Sequence, residues 1–246
     1  MENRIDIFDI GIDALTAKDA LKKIVQFMEG GTLNTVEVVT LELLVQGQED
    51  PAWRERMKKM DLVLPGERDI LDAPEKADAL SEDTPAGPDS HLLEELDKRV
   101  FLKMFFKYLQ RSRKKLFVLA EQEEDLALLD EAIRPYMRGA VQAGRAVLSE
   151  GSVSKDSIIN EINSVEPDCI LSILPYPTQE CFISDAKALL NARVWMGLGL
   201  SLLEESHRKK PVKKLRRFFL KRIFLRLVDR QKEIQPSSMQ SGRTRQ

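Results

Sequence analysis

Three consecutive polar residues, Thr178, Gln179 and Glu180, stand at a point of the chain where ligands are commonly bound. They follow an apolar run from Cys169 to Leu174, which predicts a strand buried on both faces in a parallel sheet. Prolines end that strand, and Thr178 then suits the N-cap of a helix that runs to about Leu190. The start of such a helix favours phosphate, and Gln179 and Glu180 can hydrogen-bond a ligand. The alternative is a plain strand-to-helix connection.

The rest of the chain alternates predicted strands and helices, which implies a mostly parallel sheet with right-handed crossovers. We therefore predict an α/β fold, a Rossmann-like sheet with flanking helices and a basic C-terminal helical appendage. The predicted strands cover 4–13 with a bulge near Phe8, 36–40, 61–65, 115–120, 143–148, 169–174 and 193–199. The predicted helices cover 16–29, 41–60 with a break near Pro51, 91–111, 124–137, 154–164 and 178–190.

Composition divides the chain into a main domain and two C-terminal segments. The full chain has 43% hydrophobic and 32% charged residues, as soluble globular proteins do, and we predict one domain with an ample core over 1–207. Within it, 66–90 is rich in acids and prolines and is predicted to be a flexible loop. A basic amphipathic helix is predicted over 208–232, and a disordered tail over 233–246.

The cysteines and histidines exclude several classes of site. Cys169 and Cys181 do not suggest a disulfide framework, so we expect a reducing cytosol. His91 and His207 have no ligand-like neighbours, so we predict no metal site and no cofactor. No apolar run approaches the roughly 20 residues that span a bilayer, and the first residues do not resemble a signal peptide.

The net charge of −2 hides a strong asymmetry, because 208–230 carries eleven Lys or Arg and one acid, a charge of +10. The remainder carries −12, and such a split predicts an anionic partner at one end. Such a helix can lie on an anionic membrane, or pack on the acidic body through salt bridges. Nucleic acid is not expected, since the body is acidic and no known nucleic-acid motif is present. Candidate membrane-binding residues are Lys213, Lys214, Arg217, Phe218, Lys221 and Arg222.

Four short motifs and the basic C-terminus make the chain resemble the WecG/TagA/CpsF family of glycosyltransferases over about 5–230. The motifs are Val38-Val-Thr-Leu-Glu-Leu-Leu44, Asp61-Leu-Val-Leu-Pro65, Leu174-Pro-Tyr-Pro-Thr-Gln-Glu180 and Trp195-Met-Gly-Leu-Gly199. The resemblance implies transfer of N-acetylmannosamine or its uronic acid from UDP to a membrane lipid-linked acceptor, in the synthesis of bacterial surface polysaccharide or teichoic acid. It also implies a peripheral location at the inner face of the cell membrane, which favours the membrane interpretation of the basic helix.

The chain departs from the family at positions that bear on catalysis. The motif Thr-Leu-Asn-x-Glu lacks its asparagine here, and Leu-Pro-Asp-Gly has Gly66 in place of the aspartate proposed as general base. A late Gly-Gly-x-Phe-Asp motif loses its aromatic residue and its acid. The resemblance therefore implies Glu67 or Asp69 as a displaced catalytic base, unless both are ordinary loop acids. The substrate-binding residues that it implies are Thr40, Glu42, Thr178, Gln179, Glu180 and Ser201.

Two hypotheses follow from these matches and departures. One is an active UDP-sugar glycosyltransferase. The other is a catalytically lapsed, membrane-associated protein on the same fold, which binds nucleotide sugars or regulates other proteins.

Overall fold

The computed structural model describes residues 4–78, 90–135, 141–148, 154–204 and 211–234. The strands in these ranges are β1 (Arg4–Ile7), β2 (Ile10–Asp13), β3 (Asn34–Val39), β4 (Leu62–Pro65), β5 (Lys115–Ala120), β6 (Val141–Val147), β7 (Cys169–Ile173) and β8 (Val194–Leu198). The helices are α1 (Ala17–Glu29), α2 (Leu41–Gly47), α3 (Pro51–Lys58), α4 (Arg68–Asp78), α5 (Ser90–Asp97), α6 (Val100–Arg111), α7 (Glu123–Ile133), α8 (Lys155–Val165), α9 (Thr178–Ala186), α10 (Ser201–Glu204) and α11 (Pro211–Ile234).

Six strands form one parallel sheet in the order β4-β3-β8-β7-β5-β6. Every residue of β7 and β8 is buried, because helices cover both faces of the sheet. A continuous apolar run is what a strand between two helical layers requires. The structure confirms the predicted α/β, Rossmann-like fold with flanking helices.

An apolar core lies on each face of the sheet. The core on the first face contains large side chains from α2, α3, α8, α9 and α11, and the core on the second face is completed by α1, α6 and α7. Alternation along β3 assigns its residues to these cores, since successive side chains point to opposite faces. Val36 and Val38 enter the second core, and Val39 enters the first. Glu37 therefore places a carboxyl group on the first face, where it is fully buried.

The N-terminal segment is not the predicted bulged strand, because β1 and β2 form an antiparallel hairpin outside the parallel sheet. The chain reverses at Phe8 and Asp9, whose φ angles are 57° and 61°. Two consecutive positive φ angles are typical of a type I′ turn, which explains the shift in alternation. Distant contacts hold Phe8 in this backbone: its N–H donates to Oε1 of Gln231 at 2.9 Å, and its ring packs edge-on against Phe224.

The single helix predicted over 91–111 is two helices, α5 and α6. Arg99 between them has a left-handed backbone with a φ of 52°. The break lets Leu92 and Leu93 of α5 pack against Leu71, while Phe105 of α6 enters the core on the second sheet face. The bend is thus explained by two different packing partners.

The acidic stretch predicted as a loop over 66–90 begins instead with α4. Ile70, Leu71 and Ala73 of this helix are buried, so a few apolar residues at helical spacing suffice to dock it. Residues 79–89 of the predicted loop lie outside the described residues.

The basic C-terminal helix, α11, packs against α2 and α4 and reaches the N-terminal hairpin. Phe224 is 0% exposed and Val228 is 4% exposed, so one side of the helix belongs to the first core. The sequence left open whether this helix lies on an anionic membrane or packs on the acidic body, and in the structure it packs on the body. The helix continues to Ile234, and 235–246 of the predicted tail lie outside the described residues, as do 205–210 with His207.

We expect Phe224→Ala to lower the free energy of unfolding by about 3–5 kcal/mol, because truncation of a fully buried Phe leaves a cavity. Phe219 of the same helix is the matched control, since it is exposed, and Phe219→Ala should change stability by less than about 0.5 kcal/mol. Urea unfolding followed by circular dichroism measures both variants. Equal effects would show that α11 does not dock through Phe224.

Candidate functional site

A polar crevice lies at the edge of the sheet where β3, β7 and β8 end. The carboxyl ends of neighbouring parallel strands meet at one edge, and open α/β sheets bind their ligands there. The crevice encloses about 600 Å³ of space, open solvent included. Its lining consists of Thr40, Glu42, Leu43, Gln46, Leu174, Pro175, Tyr176, Gln179, Glu180, Gly199, Leu200 and Ser201. Five of the six predicted substrate-binding residues are in this lining, and the sixth, Thr178, is not.

A second pocket, of about 460 Å³ with open solvent included, lies beside Gly66 and is almost wholly apolar. Its two charged side chains already have partners: Glu95 accepts a hydrogen bond from the backbone N–H of Ala17 at 2.8 Å, and Arg99 donates to the carbonyl oxygen of Leu202. Few polar groups remain to orient a ligand there. We therefore place the candidate site in the polar crevice.

Thr40 and Glu42 form the wall at the start of α2. The hydroxyl oxygen of Thr40 accepts a hydrogen bond from the backbone N–H of Leu43 at 3.2 Å and so caps the helix. A Cβ atom on residue 199 would lie 2.7 Å from Thr40 Cγ2, so glycine there lets the end of β8 approach Thr40. Glu42 is 32% exposed and pairs with Arg216 of α11. Glu42 is thus a partly exposed carboxylate of the crevice.

Gln179 and Glu180 form the inner wall rather than the mouth of the crevice, with exposures of 3% and 0%. The N-cap of α9 is Pro177, which makes no side-chain cap, so the prediction of Thr178 as N-cap is wrong. Thr178 is the first helical residue and is half-buried. Gln179 and Glu180, the next two residues of the helix, are buried against the sheet.

Two buried hydrogen bonds hold these inner-wall residues. Gln179 Nε2 donates to Glu37 Oε1 at 2.7 Å, and Trp53 Nε1 donates to Glu180 Oε1 at 3.0 Å. Motif reasoning on the sequence missed both Glu37 and Trp53. The available signal for Glu37 was a charged residue between two valines of a predicted buried strand, an exception that often marks a functional site.

Burial controls the protonation of both buried carboxyls. It raises the pKa of Glu37 well above its ordinary value, the nearby Glu180 raises this pKa further, and the hydrogen bond from Gln179 lowers it. Burial also raises the pKa of Glu180, against the hydrogen bond from Trp53. Within the described part of the chain, Oε2 of each carboxyl has no hydrogen-bond partner. Two negative charges buried in one core are unfavourable. The pair Glu37 and Glu180 therefore retains a proton at pH values at which exposed glutamates are ionised.

The candidate bases Glu67 and Asp69 lie beside the crevice but are not part of its lining. Glu67 Oε1 accepts from the backbone N–H of Leu41 at 3.1 Å, and both carboxylates are paired with Arg217, at 3.6 and 3.8 Å. Asp69 also pairs with Lys221. In the docked position of α11, both carboxylates are therefore neutralised by its basic residues.

At Gly66, the residue that follows β4, the backbone has no room for a side chain. A Cβ atom on residue 66 would lie 2.7 Å from the carbonyl oxygen of Val39 and about 3.0 Å from Leu202. An aspartate at this position would require the ends of β3 and α10 to move. The glycine thus permits a close approach of the surrounding chain.

The basic helix has an inner and an outer side. Arg216, Arg217 and Lys221 form ion pairs with the acidic rim of the crevice, which consists of Glu42, Glu67 and Asp69. Arg216 and Arg217 are exposed despite these pairs, and Phe218 and Arg222 are exposed as well. The side chains of Lys213 and Lys214 lie outside the described part of the structure. The predicted membrane-binding set is therefore divided between the two sides of α11.

Among the residues that the structure describes, no three His, Cys, Asp or Glu side chains are grouped closely enough to hold a metal ion. No described helix has both the length and the hydropathy needed to cross a membrane.

Glu37→Gln should remove a pH dependence of stability. Because the pKa of Glu37 is raised in the folded protein, the folded state keeps a proton that the unfolded chain loses above a pH of about 4.3. The free energy of unfolding of the wild type should fall as pH rises from that value to the raised pKa, by about 1.4 kcal/mol for each pH unit. The variant lacks this proton, so its stability relative to the wild type should rise with pH over the same range.

Urea unfolding between about pH 4 and pH 8 measures this difference. The exposed position Glu161 supplies the baseline variant, Glu161→Gln, which should not follow the trend of Glu37→Gln. A constant stability difference between wild type and Glu37→Gln across the range would contradict the raised pKa.

Comparison with known proteins identifies the family. A family model described as the Glycosyl transferase WecG/TagA/CpsF family matches residues 90–218, more than half of the chain. The match includes Gln179, Glu180 and Ser201 of the crevice, whereas Thr40 and Glu42 precede it. No curated protein matches the chain significantly. The family match confirms the resemblance seen in the motifs, and the chain belongs to the WecG/TagA/CpsF family of glycosyltransferases.

Proposed function

We propose that the protein transfers a sugar of the N-acetylmannosamine type from a UDP-sugar to a lipid-linked acceptor. The reaction takes place at the inner face of the bacterial cell membrane and serves cell-surface polysaccharide or teichoic acid synthesis. Family membership supports a glycosyltransferase-like function. The observation that carries the proposal is the crevice itself, where polar groups of α2, α9 and α10 meet the basic helix α11.

The walls of the crevice suit a nucleotide diphosphate. The positive end of the α9 dipole, at Thr178, favours a phosphate. The hydroxyl of Ser201 lies in the lining and can donate or accept a hydrogen bond. Arg216 is held at the rim by Glu42, and a guanidinium stabilises the charge of a departing diphosphate. These features support binding of the donor in the crevice.

The transfer exchanges one bond to the sugar for another. The acceptor hydroxyl oxygen bonds to the anomeric carbon, while the bond from that carbon to the diphosphate oxygen breaks. The electron pair leaves on UDP, and the hydroxyl proton passes to a carboxylate of the protein. Glu42, Glu67 and Asp69 are the proposed proton acceptors, and Glu42 already lines the crevice. Glu67 and Asp69 can serve only after Arg217 and Lys221 withdraw from them.

A second function, binding of nucleotide sugars without catalysis, is favoured by Gly66. The close approach of Val39 and Leu202 leaves no room for the family's aspartate. The adjacent Glu67 hydrogen-bonds the start of α2 and pairs with Arg217, so it is committed to structure. Displacement of a catalytic carboxylate by even about 1 Å can cost on the order of a hundredfold in rate.

The outer side of α11 supports a peripheral membrane location. Phe218, Phe219 and Ile223 are 59%, 54% and 46% exposed, and the exposed Arg222 and Arg226 lie among them. Aromatic and apolar side chains flanked by arginines suit the boundary between acyl chains and anionic headgroups. Because the inner side of the same helix borders the crevice, this surface would bring the crevice to a lipid-linked acceptor.

Calorimetric titration should show that the wild type binds UDP and UDP-N-acetylhexosamines. With a UDP-sugar and a lipid-diphosphate acceptor present, the wild type should release UDP. The proton acceptor is identified by single substitutions, because its loss should abolish turnover while UDP affinity is retained. The variants are Glu42→Gln, Glu67→Gln and Asp69→Asn. Binding without any release would favour the second function. Absence of nucleotide binding would remove both.

The double substitution Phe218→Ala with Phe219→Ala should abolish co-sedimentation with anionic vesicles and leave stability nearly unchanged, because both rings are exposed. Leu189→Ala is the control, since Leu189 is 57% exposed but lies outside α11. Binding of the wild type should weaken at high salt, as the attraction of arginines to the surface is screened. Equal sedimentation of the double variant and the control would exclude the outer side of α11 as the membrane surface.

A further inference from the structure

Glu37 is built into the sheet together with Gln179. It lies in the middle of β3, between Val63 of β4 and Gly197 of β8. A Cβ atom on residue 197 would lie 2.0 Å from Glu37 Oε2 and 2.5 Å from Gln179 Nε2. The glycine thus leaves open the space that the two side chains fill, and a larger residue there would displace the pair.

A chain of two hydrogen bonds leads from Glu37 to the crevice. Glu37 Oε1 accepts from Gln179 Nε2 at 2.7 Å, and Gln179 Oε1 accepts from the backbone N–H of Leu174 at 3.2 Å. Leu174 directly follows β7 and precedes Pro175, which has no N–H to donate. The bond from Leu174 therefore ties the crevice loop, residues 174–177, to the first turn of α9.

We propose that Glu37 is a positioning residue of the nucleotide site: it orients the amide of Gln179, which in turn fixes the backbone of Leu174 and the crevice loop. Glu37 is fully buried and is not part of the crevice lining, so it acts through Gln179 rather than on a ligand. The inference deepens the proposed function and rests on it.

The surroundings show why a hydrogen-bond acceptor is needed at this point. Glu37 lies beside the apolar side chains of the first core, and a buried carboxyl is unfavourable unless it is hydrogen-bonded. With an apolar residue at position 37, the Gln179 NH2 group would lose its acceptor and the amide could rotate. Leu174 would then lose its own acceptor, because Gln179 Oε1 supplies it. A mid-strand acid thus sets the conformation of a loop at the edge of the sheet.

The test compares substitutions that keep or remove the acceptor. Glu37→Met removes it at similar volume, and the affinity for UDP, measured by calorimetry, should fall about tenfold as the buried bond is lost. Glu37→Gln keeps a carbonyl oxygen at the same place and should restore the affinity to within about threefold of the wild type. Hydrogen exchange at the Leu174 amide, followed by NMR, should be faster in Glu37→Met and close to wild type in Glu37→Gln.

Two more variants complete the design. Gln179→Met breaks the next link and should speed exchange at Leu174, which keeps the test decisive if Glu37→Met does not fold. Ser172 is the matched control: it is buried on the same sheet face, and its Oγ has no hydrogen-bond partner among the described residues. Ser172→Ala should leave UDP affinity and the Leu174 amide unchanged.

The outcomes separate the two proposals. If the wild type binds UDP but Glu37→Met binds it equally well, the positioning role is overturned and the proposed function stands. An equal loss of affinity in Glu37→Met and Glu37→Gln would also overturn it, because the acceptor would not be what matters. If no form binds UDP, the proposed function fails. Hydrogen exchange then still tests the role of Glu37: exchange at the Leu174 amide as slow as in the wild type, in Glu37→Met or Gln179→Met, would overturn that role as well.

Discussion

The hydrogen bond from Gln179 to the buried carboxyl of Glu37 joins the three elements on which the crevice depends. It links β3 to the first turn of α9, and it needs the open space at Gly197 of β8. A buried carboxyl is tolerated only where it is bonded or protonated, and this one has both a donor in Gln179 and a raised pKa caused mainly by burial. The polar inner wall is therefore part of the sheet core, and its geometry is set by packing rather than by flexible surface side chains.

The C-terminal helix is held to the body by two kinds of contact with different magnitudes. Burial of the Phe224 side chain contributes about 1.5–3 kcal/mol, whereas ion pairs of exposed arginines such as Arg216 contribute about 0–1 kcal/mol each. The apolar contact therefore keeps the helix in place, and the ion pairs place its charges over the rim of the crevice. An incoming diphosphate or an anionic surface can compete for these arginines at small cost. Binding of the donor and contact with a membrane would then both involve residues of α11.

Gly66 lies where the chain approaches itself closely. The carbonyl oxygen of Val39 and the side chain of Leu202 close around it, so no side chain fits at this position without movement of its neighbours. Glu67 and Asp69 follow directly, yet both face the cations of α11 rather than the crevice. The carboxylates that follow Gly66 are thus ion-paired with α11 in its docked position.

The local pattern of residues in the sequence was sufficient to predict much of the fold. The apolar runs predicted the strands of the parallel sheet, the turn chemistry predicted the helix break at Pro51, and strand ends predicted where the crevice lies. Such features depend on residues close together in sequence, whose period and order are visible without a structure. The order of the motifs likewise predicted the family.

Other features could be decided only by tertiary structure, because their physical cause lies in distant partners. The hairpin turn at Phe8 is held by Gln231, 223 residues away, and the role of Glu37 depends on Gln179, 142 residues away. Ion pairing of Glu67 and Asp69 depends on where α11 docks. Periodicity shows that a side chain is buried but not which polar group meets it there. The sequence alone therefore predicted the sheet and the edge at which the crevice lies, while the three-dimensional packing determined which residues line the crevice and which are hydrogen-bonded behind its wall.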